Sequence, residues 1–225
     1  MATYKFAYWN LRGLGQPIRL LLEFIGAPYE ERRFQAADKD QWFTEKYGLG
    51  FDFPNLPYLI DGDKKITQSH VITMYLGKKH GLVGDSDDDL ITIAMAEGSI
   101  KDIRHKISEI ALNPNYEKLR PDFMPTFFKG LETISKFLSN KKFLIGDKLC
   151  YADFVLYENL DVFEIFEPKC LDKYPNLKRF KKEFESLPKI KAYLTSDRCI
   201  KWPLNNWLAK FGGGFEPPTT KNKQC

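Results

Sequence analysis

The chain has 225 residues, of which 43% are hydrophobic, enough for one large domain or two small ones with real cores. No run of about 18 apolar residues occurs, and the N-terminus enters a polar-alternating strand directly, which argues against a membrane span or signal peptide and for the cytosol. The net charge is only +4, and Lys141-Lys142 and Lys178-Arg179-Lys181-Lys182 lie along helical stretches as solvated faces, so no nucleic-acid patch is expected.

Residues 3–9 alternate Tyr4, Phe6 and Tyr8 against smaller or polar neighbours, the period of a half-buried strand. A loop, 10–15, leads to a helix in which Pro17 suits the first turn, Ile18, Leu21, Leu22 and Ile25 share a face, and Gly26 closes the run. Tyr29 to Phe34 reads as a second strand, completing a βαβ unit. Asp38 to Tyr47 reads as a short polar helix that places Trp42 and Lys46, four apart, on one face.

The stretch 52–69 reads as a device for holding an extended guest. Pro57 pushes Leu56 toward extended dihedrals and cannot donate a ladder hydrogen bond, so the Leu56 backbone is expected to be free for a peptide-like ligand. Strands at 58–60 and 65–67 flank the turn Asp61-Gly62-Asp63, and a helix opens at Gln68-Ser69 and runs to His80. Ser69 is the expected N-cap, and the free N–H groups after it suit a carboxylate. The order β-α-β-α-β-β-α, with a proline just before the third strand, is the layout of a thioredoxin-like domain. No cysteine precedes Cys150, so the protein has no thiol of its own at the start of the first helix. Gly13-x-Gly15 lacks the third glycine and the acidic residue of a dinucleotide fingerprint.

An acidic run at 85–89 marks a linker and caps the helix after it, placing a first domain at 1–81 and the linker at 82–89. Beyond it the period is helical: 90–112, a proline-punctuated helix starting near Pro121 and Pro125 and running to Leu138, then 151–166, 177–186 and 189–195. This gives an all-α domain at 90–211 and a flexible tail at 212–225. Cys150 stands where a capping box has Ser or Thr, with Asp153 as its acidic partner. The four cysteines, Cys150, Cys170, Cys199 and Cys225, show neither a C-x-x-C pair nor a metal-ligand spacing, so neither a disulfide framework nor a metal site is expected. His70, His80 and His105 read as structural or surface residues.

The segments Tyr8-Trp9-x-Leu11-Arg12-Gly13-Leu14, Ile18-Arg19-Leu20-Leu21-Leu22-Glu23, 52–62, Ile66-Thr67-Gln68-Ser69, Asn113-Pro114 and 166–172 together resemble the mu class of cytosolic glutathione transferases over nearly the full length. The resemblance implies an α/β thioredoxin-like N-terminal domain followed by an all-α C-terminal domain, with glutathione as cosubstrate and no permanently bound cofactor. It implies that Tyr8 stabilises the glutathione thiolate, which adds to small hydrophobic electrophiles in detoxification. The matching positions imply a glutathione site of Trp9, Leu14, Trp42, Lys46, Asn55, Leu56, Pro57, Gln68 and Ser69, completed by Asp102 from a partner subunit. An electrophile pocket of Trp9, Leu14, Arg104, Leu112 and Asn205 is implied in the same way. Leu112 stands where many mu enzymes place a second tyrosine, and it cannot donate a proton to an oxyanion or epoxide. Phe53, an apolar residue at a loop tip, matches the aromatic that enters a partner subunit, implying a two-fold symmetric homodimer. The alternatives to a conjugating enzyme are a noncatalytic carrier or structural protein on the same fold, and an isomerase that uses glutathione as a true cofactor.

Overall fold

The computed structural model describes residues 3–217. Four strands, β1 (Tyr4–Trp9), β2 (Tyr29–Phe34), β3 (Tyr58–Asp61) and β4 (Lys64–Thr67), form one sheet in the order β2-β1-β3-β4. β1 runs parallel to β2, with Tyr4 opposite Tyr29, and antiparallel to β3, with Phe6 opposite Leu59. The parallel pair requires a crossover, which α1 (Gln16–Ile25) supplies; the antiparallel β3–β4 pair needs only the tight turn at residues 62–63. β1 is not the half-buried strand expected: Tyr4, Phe6, Ala7 and Tyr8 are all buried, because a central strand between helices is covered on both faces.

The segment expected as one helix over 38–47 is three pieces. A 3-10 turn at Ala36–Asp38 leads into α2 (Lys39–Glu45), and a second 3-10 turn follows at Lys46–Leu49. The Lys46 N–H still donates to the Trp42 carbonyl, so the two residues are one α-turn apart, but their side chains go different ways. Trp42 turns inward, edge-on to Phe34 at 5.4 Å and stacked with Tyr58 at 6.2 Å, while the Lys46 ammonium lies over the Phe43 and Tyr47 rings. Burying a tryptophan ring among aromatics outweighs continuing a short polar helix.

α3 (Ser69–Lys79) covers the sheet and leads to five helices: α4 (Asp87–Leu112), α5 (Tyr116–Leu138), α6 (Tyr151–Phe166), α7 (Pro175–Ser186) and α8 (Pro188–Leu194). Ser86 caps α4 by accepting the Asp89 N–H at 3.1 Å, and three aspartates in its first turn complement the helix dipole. α5 starts at Tyr116, ahead of the prolines expected to open it, and both lie inside the helix. They are four apart, so the N–H that Pro125 lacks is the one that would have reached the Pro121 carbonyl. Burial of Tyr116, Phe123 and Phe127 along one side holds the turns together despite that loss.

α6 is the hub of the helical domain, with almost every residue buried. Its start is fixed as the sequence indicates: Asp153 accepts the Cys150 N–H at 2.8 Å and the Leu144 N–H at 2.9 Å. The two domains meet where α1 packs on α6, with Phe24 edge-on to Phe154 at 5.3 Å. The same junction is tied by charge. Arg12, in the loop after β1, donates to both carboxylate oxygens of Glu158, at 3.0 and 2.7 Å, and to Asp161 at 2.6 Å.

The tail expected to be flexible from Gly212 is held at its start. The Gly212 carbonyl accepts from the Leu204 and Asn205 N–H groups, and the Gly213 carbonyl accepts from the Trp202 indole. The remainder of that tail, from 218 on and including Cys225, lies outside the described residues. No helix among the described residues is long and apolar enough to cross a membrane, and no group of three or more His, Cys, Asp or Glu is arranged among them for a metal ion.

Candidate active site

Tyr8 sits near the end of β1 with its ring buried and its hydroxyl at the wall of a cavity of about 420 Å³. The loop after β1 is fastened on both sides. Arg12 N–H donates to the Pro203 carbonyl at 2.8 Å, and the wholly buried Arg19 guanidinium donates to the Leu11 carbonyl at 2.8 Å and the Trp9 carbonyl at 3.2 Å. Arg19 is itself held by Glu31 at 2.6 Å, so a charge-assisted brace runs from β2 to the loop.

That fastening presents the Leu14 N–H to the Tyr8 hydroxyl at 3.2 Å. Because the oxygen accepts there, its own proton is directed elsewhere. Burial raises the phenol's pKa above its ordinary value; the Leu14 N–H and the cations Arg19 and Arg104 pull the other way without cancelling it. Tyr8 is therefore a protonated donor at neutral pH. The glycines at 13 and 15 make the approach possible: a Cβ on Gly13 would lie 2.8 Å from the Tyr8 hydroxyl, and one on Gly15 would lie 2.5 Å from the ring. Gly13-x-Gly15 thus serves the tyrosine rather than a phosphate.

Of the residues expected around an electrophile, Trp9, Leu14, Arg104 and Asn205 line the same cavity as Tyr8. Leu112 does not. It is the last residue of α4, half exposed, and sits a full turn beyond Ser108, the last α4 residue in the cavity wall. Arg104 is buried and donates to the Leu204 carbonyl at 2.7 Å and the Ser108 hydroxyl at 3.1 Å, with no carboxylate partner among the described residues. Burial pushes its pKa down, Glu158 pulls it up, and Arg12 opposes it. The cavity also contains His70, Lys101, His105, Ser108 and Asn206, which sequence reasoning missed. A signal existed: 101, 104, 105 and 108 share one helix face, so placing Arg104 in the wall places the others beside it.

The residues expected to hold a tripeptide divide. Ser69 and Tyr8 share the cavity wall. Ser69 is the first residue of α3 rather than its cap; the cap is Gln68, at φ 68°, a left-handed conformation uncommon for a non-glycine residue and often found at functional sites. The first helical bond is from Ile72 N–H to the Gln68 carbonyl, leaving the N–H groups of Ser69, His70 and Val71 for an outside acceptor. The Leu56 N–H, expected to be free, donates to Oδ1 of Asn55 at 2.9 Å, so a guest pairing there must displace that side chain. Leu56 and Pro57 are buried and Asn55 is exposed. Trp42 and Lys46 lie off the cavity wall, as does Asp102, which is exposed on α4 and faces the groove between α4 and α5.

The N-terminal domain profile of glutathione S-transferases matches residues 4–78, and the C-terminal domain profile of that family matches 101–197. The chain is 43% identical over 219 residues to the class-mu 26 kDa glutathione S-transferase isozyme 1 of Fasciola hepatica, covering 97% of this chain and 99% of that one. It is 46% identical over 209 residues to glutathione S-transferase Mu 1 of Rattus norvegicus, covering 91% and 96%. Among solved structures, it is similar to the glutathione S-transferase Blo t 8, with a TM-score of 0.85 at 32% identity, covering 92% of this chain and 99% of that one.

Proposed function

Since the chain belongs to the glutathione S-transferase family, and to its mu class, we propose that Tyr8 is the group that turns this fold into a catalyst, by holding the glutathione thiolate. The protein is a transferase that conjugates glutathione. The observation that carries the role of Tyr8 is its hydroxyl, which accepts from Leu14 and keeps its own proton to donate. A free thiol with a pKa near 8.5 is only a few per cent ionised at neutral pH, and each unit of depression corresponds to about 1.4 kcal/mol of preferential thiolate binding. A buried phenol that stays protonated supplies such a preference, because its hydrogen bond strengthens as the sulfur becomes charged.

In this reading the γ-glutamyl carboxylate meets the open N–H groups at Ser69, with Gln68 beside it, and Asp102 reaches the γ-glutamyl amine of the neighbouring subunit. The cysteinyl unit pairs with the Leu56 backbone ahead of Pro57 and displaces Asn55, which then contacts the peptide. Lys46 and the Trp42 indole take the glycine carboxylate. Trp9, Leu14, Arg104 and Asn205 border the electrophile, with Leu112 outside the wall. The reaction places the protein in the cytosol, where glutathione is abundant. The test is conjugation of a chromogenic aryl halide: the conjugate should accumulate as glutathione is consumed. Glutathione bound but unconsumed, or returned with an isomerised product, contradicts it.

The dimer is supported by two features of the surface. Phe53 is 75% exposed at a loop tip, and an apolar cavity of about 170 Å³ lies between α4 and α5, walled by Met95, Ala96, Ile100, Ile134, Phe137 and Leu144. An apolar cavity of about 150 Å³ takes a benzene ring, so the phenyl group of a second copy is a fitting occupant. Phe53→Ser should convert a dimer to a monomer in sedimentation at micromolar concentration. A monomeric parent, or a variant as dimeric as the parent, contradicts this.

A further inference from the structure

We infer that the electrophile this enzyme prefers is an anion, an apolar reactive body that carries its own carboxylate. The inference rests on the conjugation reading and concerns only what sits opposite the thiolate. The cavity beside Tyr8 has two unlike walls. One is apolar, made by Trp9, Leu11 and Leu14. The other is the face of α4 that presents Lys101, Arg104 and His105, with Ser108 at its end. No Asp or Glu lines the cavity among the described residues.

The charges on the α4 wall are only partly balanced. Lys101 is paired with Glu97 at 2.6 Å, but that pair uses one of its three donors, and its side chain is 27% exposed and lines the cavity. Arg104 has only a carbonyl and a hydroxyl as partners. Next to Leu204, which Arg104 bonds, Asn205 is 8% exposed and its amide nitrogen has no acceptor among the described residues, while its oxygen is occupied by the Asn206 N–H at 2.9 Å. A buried donor left unpaired is costly, and a ligand that supplies an acceptor removes that cost. The proposed thiolate at Tyr8 provides one negative charge. Lys101, His105 and the Asn205 amide remain in the same cavity as donors for a second. A purely hydrophobic electrophile would leave all of them unanswered.

A matched pair of aryl chlorides tests the point: neutral chlorodinitrobenzene and the carboxylate-bearing chloronitrobenzoate. In both, the thiol proton has gone to solvent, the sulfur forms a bond to the carbon bearing chlorine, and chloride departs with the electron pair of the broken bond. The reading is the ratio of kcat/KM, anion over neutral, divided by the same ratio for free glutathione. In the parent the normalised ratio should exceed one. Lys101→Met should lower it about five-fold, the effect of one half-exposed charge pair. His105→Met, which leaves Glu97 paired, should lower it in the same direction. Salt provides a check that needs no variant. It is read on the enzyme's own ratio before that division, because salt also raises the rate between two free anions: screening of an attractive wall makes the enzyme's ratio fall. A ratio unmoved by both substitutions and by salt, with chlorodinitrobenzene still conjugated, overturns the inference alone. Conjugation of neither chloride by the parent overturns the conjugation reading and the inference with it.

Discussion

Tyr8→Phe should lower kcat/KM for conjugation by about a hundred-fold or more, the loss typical of removing one donor aimed at a developing or resident anion. Glutathione should still bind, because its proposed contacts at Leu56, Gln68 and Ser69 are untouched. The substitution is nearly isosteric, and the ring keeps its place under the Arg19 guanidinium, 5.9 Å from the ring centroid. What it removes is the hydroxyl proton that the cavity wall offers to sulfur at the end of β1. It also leaves the Leu14 N–H without its acceptor at 3.2 Å, but that bond is only part-buried and Leu14 is half exposed, so water can take the oxygen's place. The rate deficit should shrink as pH rises toward the pKa of free thiol, since glutathione then ionises without help. A variant as active as the parent at neutral pH would show that another group carries the role.

Glu158→Ala should cost about 3–5 kcal/mol of stability, the range for breaking a buried ion pair by removing one partner. Arg12 and Glu158 are both almost wholly buried, and they join the loop after β1 to the central helix of the other domain. Burial works against the Arg12 charge, and the two acidic partners outweigh it, holding the guanidinium's pKa above its usual value. With Glu158 gone, Asp161, at 2.6 Å, is the only carboxylate left to Arg12 among the described residues. For a chain of this size the cost corresponds to a fall in Tm of roughly 6–20 °C. Activity should fall as well, since the Arg12 loop presents Leu14 to Tyr8. Glu132→Ala, which removes an exposed partner of Lys136, is the control and should leave Tm unchanged. Equal thermal stability of Glu158→Ala and the parent would show that the two domains are held by apolar packing alone.

Much of this molecule was legible in the sequence because short-range rules governed it. The Asp153 box at α6 and the capping of α4 each depend on residues within four positions of one another, and they form as expected; β1 forms as a strand, but with both faces buried. The glutathione S-transferase family was legible too, since its motifs run through both domains. What was missed depends on contacts distant in sequence or on rotamers. Helical spacing set Trp42 one turn from Lys46, as found, but not its burial, which Phe34 and Tyr58 impose from strands distant in sequence. The Asn55 side chain turns back on the Leu56 N–H, a choice of rotamer that no pattern announces. Gly13 and Gly15 looked like a fragment of a nucleotide motif because the ring they clear, that of Tyr8, belongs to another element. Lys101 and His105 were legible in principle, as face-mates of Arg104, but only once Arg104 was known to face a cavity.

The most direct test of the role of Tyr8 is the ionisation state of bound glutathione, read as thiolate absorbance in the ultraviolet while pH is varied with the enzyme saturated. The expected result is an apparent thiol pKa at least about one unit below the free value near 8.5 in the parent, returning toward that value in Tyr8→Phe. A bound thiol that titrates like free glutathione in the parent, or one equally depressed with and without the Tyr8 hydroxyl, would contradict the account.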